Sequence, residues 1–318
     1  MKKRNLNIFD AGVAFLMAFV LAQITSVIGV LITQAIMQAC GLTTSQISIF
    51  WDTAVGYLLQ ALYMNIGFIV VFVWFYTRRA RQPLLQKPTK PTLKYVAYCV
   101  LLGISTLFLL AGVLNYFQLW MNKIGFSGGQ LSYELDSVGK YFISLISLAV
   151  LPAICEELVF RGILTTSLKQ KSPLFAVVIS SIMFAIFHFS PSQLLYPLCF
   201  GLILGIVYLR TNNIIFPILL HFINNALSVS IQYFSSSSST FVHTAGNLVY
   251  AILTFIVWIV IMFYLFKDFI NHISTKNNEP SESEDDSIKE SASDKKFNNI
   301  VLYGSIALMS LIYIILMI

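Results

Sequence analysis

Residues 142–168, FISLISLAVLPAICEELVFRGILTTSL, form an apolar run long enough to cross a bilayer as a helix. Charged groups at the centre of such a helix cost roughly 2.5–3.5 kcal/mol each on insertion scales. The run nevertheless holds Glu156, Glu157 and Arg161 close together. Glu157 and Arg161 are four positions apart and share a helix face, which suits an ion pair. Glu156 is turned by about 100° from Glu157 and is free to point elsewhere. This spacing predicts one structural carboxylate and one reactive neighbour.

The rest of the chain has the same apolar character. It is 57% hydrophobic and 11% charged, against about 25% charged for soluble domains. The excess comes in blocks of bilayer length, so the chain reads as an all-α polytopic membrane protein. The blocks fall at about 11–37, 54–77, 95–117, 142–168, 173–189, 193–209, 214–234, 242–266 and 299–318. The fifth and sixth are at or below the ~17-residue lower limit for a span. Lys2, Lys3 and Arg4 precede a first block too long for a signal-peptide core, which predicts an uncleaved first span.

Basic residues set the orientation. Arg78, Arg79, Arg81, Lys87, Lys90 and Lys94 lie between the second and third blocks. Lys169 and Lys171 follow the fourth, Arg210 the sixth and Lys267 the eighth. All fall on the side of the N-terminus if eight spans cross, so the N-terminus is expected in the cytoplasm. The C-terminus then lies outside, in a multi-pass protein of the cell membrane. This placement of charge also argues against a nucleic-acid partner. Seven of the fourteen acidic residues lie between Glu279 and Asp294, in a Ser-rich segment expected to be a disordered cytoplasmic linker. Cys40, Cys99, Cys155 and Cys199 show no metal or disulfide spacing.

Beyond Glu156, Glu157 and Arg161, few ionisable residues sit within the blocks. His188 closes Phe184-Ala185-Ile186-Phe187-His188, and His221 opens His221-Phe222-Ile223-Asn224-Asn225. A carboxylate, two imidazoles and a carboxamide in one cavity can activate water and stabilise an oxyanion. Glu156, His188 and His221 are also a chemically acceptable zinc ligand set. Singly, each residue has a structural explanation: an ion pair for Glu157 and Arg161, interhelical hydrogen bonds for the histidines. Their joint occurrence on three helices favours a functional polar cavity. The residues alone leave a protease and a proton-coupled transporter open, although no inverted repeat supports the latter.

Three motifs, Glu156-Glu157-x-x-x-Arg161, Phe184-x-x-x-His188 and His221-x-x-x-Asn225, lie in this order on successive apolar blocks. In this they resemble the CAAX protease and bacteriocin-processing (Abi) family, related to the Ras-converting type II CAAX prenyl endopeptidases. The resemblance implies an eight-helix core bundle with an intramembrane polar cavity, to which this chain adds a ninth, C-terminal helix. It divides the chain into three N-terminal membrane helices (1–141), a catalytic membrane core (142–268), the acidic linker (269–298) and the last helix (299–318). It implies an intramembrane endopeptidase in which Glu156 and His188 activate water, His221 and Asn225 hold the oxyanion, and Glu157 and Arg161 brace the site. Members of the family are described both with zinc and with a metal-free glutamate mechanism. The expected partners are a peptide or membrane-protein substrate and the lipid bilayer; a non-catalytic immunity or scaffold protein is the alternative.

Straight helices would place Glu156 roughly 18 Å deep, His221 roughly 10 Å and His188 roughly 22 Å. Convergence therefore requires tilt, or a fifth helix that stops mid-membrane at Ser190-Pro191.

Overall fold

The computed structural model describes residues 5–80, 93–125, 135–188, 191–235 and 292–315, with scattered positions between 252 and 267. Most of the eighth apolar block and most of the acidic linker lie outside these residues. The protein is an all-α polytopic membrane bundle whose described elements carry several long apolar helices.

Helix α1 (Ile8–Ala39) begins with a capping box in which Asn7 and Asp10 bond each other's backbone N–H groups. Asp10 is buried, and its second oxygen accepts from Arg79 Nη2 at 2.8 Å and Nε at 3.2 Å. Arg79 closes a π turn (Phe75–Arg79) that extends α3 (Ala54–Trp74). One carboxylate thus caps α1 and ties it to the end of α3. A short helix, α2 (Thr44–Trp51), joins the two and is capped by Thr43 and Gln46.

Along the α1–α3 contact, Ala11, Ala14, Ala18 and Ala22 recur at helical spacing and are all buried. A Cβ on Gly67 would stand 2.5 Å from Ala22 N, so the two backbones touch there. Small residues permit this approach, which is how helices gain packing in lipid. Val20, Ile24, Val27, Ile28 and Leu31 form the opposite, exposed face.

Helix α4 (Leu93–Lys123) packs mainly on α8 (Ile215–Ser235). Between them in sequence runs α5 (Val138–Leu168), which alternates α-helical turns with π-helical stretches at Leu145–Val150 and Leu158–Thr165. The threonine hydroxyls at the end of the second stretch and just after it fold back five residues. Thr165 Oγ1 donates to Phe160 O at 2.9 Å and Thr166 Oγ1 to Arg161 O at 3.1 Å. The wider turn is therefore filled by side-chain donors.

Helices α6 (Pro173–Phe187) and α7 (Leu195–Thr211) form an antiparallel hairpin through a 3₁₀ turn at Pro191–Gln193. At 15 and 17 residues they reach only about 22 and 25 Å, short of the ~30 Å hydrocarbon core. Of the two ways to reconcile the depths, the fifth helix does end early, at Phe187. Gly201 against Ser181 and Gly205 against Val177 bring the two backbones close.

The last helix, α9, begins at Ala292, seven residues before the expected boundary at Asn299. No Gly or Pro falls between Ala292 and Tyr303, so nothing in the local sequence interrupts it. It is built into the core, with Leu302, Ser305 and Met309 buried and Leu302 Cα 3.0 Å from where a Cβ of Gly12 would stand.

Candidate active site

The two adjacent carboxylates of α5 have opposite surroundings. Glu157 is fully buried; Oε1 is hydrogen-bonded, and Oε2 has an ion-pair contact without hydrogen-bond geometry. Oε2 lies 3.0 Å from Arg161 Nε, and Oε1 lies 3.0 Å from His221 Nδ1 on α8. Glu156 is only partly buried and makes no hydrogen bond or ion pair among the described residues. It lies within electrostatic reach of His221, Glu157 and Arg161.

Arg161 is also fully buried, and its guanidinium stands 5.0 Å over the ring of Phe184. A cation over an aromatic face is attracted by the ring quadrupole, more so when desolvated. Nε, Nη1 and Nη2 find no hydrogen-bond partner among the described residues, and Nε meets Glu157 as an ion-pair contact only. The π-helical stretch that starts at Leu158 carries Arg161, so the pair with Glu157 is made where the helix is widened.

Spacing within α5 accounts for the Glu157–Arg161 contact but says nothing about a third member. His221 is that member. A carboxylate oxygen can only accept, so Nδ1 of His221 donates and Nε2 is left for another partner. The imidazole is buried, with Phe184 and Phe200 edge-on to it at 5.8 and 5.6 Å between centroids. Its orientation is held from three sides.

His188 caps the C-terminus of α6. Its Nδ1 lies 2.8 Å from the Phe184 carbonyl, one of the carbonyls that a helix end leaves without a partner. That carbonyl is an acceptor, so Nδ1 carries the hydrogen and Nε2 again is free. The ring is exposed and packs at 4.7 Å against Phe184, the same ring that touches His221. His188 thus joins the cluster through Phe184, the ring it shares with His221.

Asn225 is one turn beyond His221. Its Nδ2 donates to Leu148 O on α5 at 3.1 Å, and its Oδ1 accepts from Asn224 Nδ2 at 3.4 Å. Asn224 is buried, and its Oδ1 accepts from the Tyr196 hydroxyl. Tyr196 was not singled out in the sequence; one tyrosine among fifteen, in an apolar block, carries no local signal.

The side chains of Glu156, His188 and His221 do not form a metal-binding group in this arrangement. Among the described residues, no set of three or more His, Cys, Asp or Glu side chains is gathered closely enough to hold an ion. With Nδ1 of each histidine committed elsewhere, each could offer a ligand only through Nε2.

Residues 138–227 match the family of Rce1-like type II CAAX prenyl endopeptidases. That segment runs from the start of α5 past Asn225 and contains every residue of the cluster. A Bacillus subtilis protein described as "Putative membrane peptidase YdiL" is 26% identical over 176 residues, which covers 54% of this chain and 72% of that protein. No solved structure matches the chain.

Proposed function

We propose that this chain is an intramembrane endopeptidase that hydrolyses a peptide bond in a membrane-associated peptide or protein. The observation that carries the proposal is the unequal use of two neighbouring carboxylates. Glu157 is spent on Arg161 and His221, whereas Glu156, beside them, has no bonding partner among the described residues. A purely structural cluster has no reason to keep a second, unsatisfied carboxylate where each charge is costly. The family match and the B. subtilis relative support the same reaction class.

In the proposed reaction, Glu156 accepts a proton from water as the resulting hydroxide attacks the scissile carbonyl carbon. His188, with Nε2 free, aids the transfer and passes a proton to the leaving amine. Negative charge then develops on the former carbonyl oxygen. Asn225 donates to it through Nδ2, and His221 through Nε2 once that nitrogen has taken a proton from solvent. Glu157 stabilises the positive charge on that ring while holding its orientation, the part a buried carboxylate plays behind a catalytic imidazole. Arg161 holds Glu157 in place, its Nε 3.0 Å from Oε2. The basic loops put the N-terminus and the Lys169–Lys171 end of α5 in the cytoplasm, so cleavage occurs in a cavity reached from that side. The preference for Lys over Arg and the richness in Ile, Asn and Ser point to a bacterial chain, for which a signalling peptide, a bacteriocin precursor or a membrane regulator is a better substrate than a prenylated CAAX protein.

The test is a mass-spectrometric comparison of membrane peptides from cells carrying wild type and Glu156→Gln at equal abundance. Proteolysis predicts at least one peptide that accumulates in the variant and is cut by wild type. Matching profiles from two correctly inserted proteins would sink the proposal.

A further inference from the structure

Two residues outside the proposed chemistry decide which way the Asn225 carboxamide points. Pro152 stands four residues after Leu148 and has no N–H, so it cannot supply the α-helical hydrogen bond to the Leu148 carbonyl. The site lies where α5 returns from its first π-helical stretch, Leu145–Val150, to α-helix at Leu151. Asn225 Nδ2 donates to this carbonyl from α8 at 3.1 Å. A carbonyl only accepts, so it selects the nitrogen end of the amide. The oxygen end is addressed from the other side, by Asn224 Nδ2 at 3.4 Å. Asn224 can present nitrogen there because its own oxygen is taken by the Tyr196 hydroxyl. Tyr196 lies in the first turn of α7, directly after the hairpin turn.

We infer that Pro152 and Tyr196 are positioning residues that lock the Asn225 carboxamide with Nδ2 towards the reaction centre. One Nδ2 hydrogen goes to Leu148 O, and the second remains for the substrate oxygen. The Tyr196–Asn224–Asn225 relay prevents the amide from flipping to present its oxygen, which would repel an oxyanion. What the second hydrogen does rests on the endopeptidase reading; the lock itself does not.

The test uses the full-length protein in lipid nanodiscs, labelled with ¹⁵N-asparagine. Its probe is the peptide that accumulates in Glu156→Gln membranes. Pro152→Ala returns a backbone donor to Leu148 O, and Tyr196→Phe removes only the hydroxyl. The Asn225 side-chain resonances are assigned by their loss in Asn225→Ala. Both substitutions should move them. Both should also lower kcat, Pro152→Ala by ~10-fold or more, at unchanged KM; losing an oxyanion donor outright costs about 10²–10³. Because proline leaves a helix interior, the melting temperature of Pro152→Ala should hold or rise as activity falls. In an Asn225→Ala background neither substitution should reduce kcat further, as residues acting through one group are not additive.

Asn225 resonances unmoved in both variants would overturn the lock, whether or not the chain cleaves anything. Moved resonances with unchanged kcat, or additive losses in the Asn225→Ala background, would overturn the positioning role. Moved resonances in a chain that cuts no peptide would uphold the lock and remove only the peptidase reading.

Discussion

Helices α1 and α3 meet through alanine and glycine; helices α5 and α8 meet through a carboxylate, an imidazole and carboxamides. Both contacts hold apolar helices together, but by different means. At the first, backbones touch at Gly67 and Ala22 and no charged group is needed midway along the contact. At the second, Glu157 and His221 join the helices at 3.0 Å, and Asn225 reaches the Leu148 carbonyl. Close packing by small residues exhausts its partners. The polar contact leaves Glu156 over, together with the Nε2 positions of two imidazoles. A membrane protein that needed only to pack would favour the first solution throughout, because buried charge in lipid is expensive.

If this contrast is sound, substitutions at the polar contact should separate turnover from stability, and those at the α1–α3 contact should not. His188→Gln tests the first half most severely. Its Nδ1 bonds only the end of its own helix, so turnover should fall about 10²–10⁴-fold, the range for a lost proton-transfer group, while melting is little changed. A protein that melts early and cuts normally would break the contrast.

Arg161→Met comes next and acts on stability. It leaves Glu157 buried and short of a cation, a loss of about 3–5 kcal/mol for one partner of a buried pair. Unfolding titrations in lipid would read it. A change below about 1 kcal/mol, the usual worth of an exposed pair, would show that the guanidinium over Phe184 contributes little.

Gly67→Ala probes the other contact. The new methyl meets the Ala22 backbone at 2.5–2.6 Å, so the helices must part, at a cost of about 1–3 kcal/mol. Turnover per folded molecule should be unaffected. The smallest effect belongs to Tyr63→Phe, which deletes a 2.6 Å hydrogen bond to Thr33. Such bonds between membrane helices average about 0.6 kcal/mol, and thermal melts of the pair should differ by little more than that.

The two contacts also differed in how far they could be read from sequence. Apolar blocks of bilayer length announced the bundle, and four-residue spacing paired Glu157 with Arg161. The same spacing could not show that Glu157 reaches His221, 64 positions away. That contact depends on how α5 is rotated against α8, and the π-helical stretches change the rotation from what 3.6 residues per turn would give. Straight spans put His188 about 22 Å deep, and the 15-residue α6 has that length; the contact with Phe184, which also touches His221, depends on helix tilt, and spacing alone does not give that. The Tyr196–Asn224 relay had no local trace, since a tyrosine in an apolar block is ordinary. Pro152 was visible in the sequence, yet its meaning lies in the carbonyl it leaves for another helix. The start of α9 at Ala292 is masked in the sequence by polar composition that reads as linker, although nothing in Ala292–Asn298 breaks a helix.

The α6–α7 hairpin has a consequence for any experiment on sidedness. Because Gly201 faces Ser181 and Gly205 faces Val177, the second arm retraces the first, and the chain emerges on the side it left. Two complete crossings would do the same. Reporter domains fused after Lys171 and after Asn212 will therefore agree with each other under either arrangement. Every terminus and loop assigned by such fusions will carry the same label for a chain that traverses the bilayer there and for one that turns back within it.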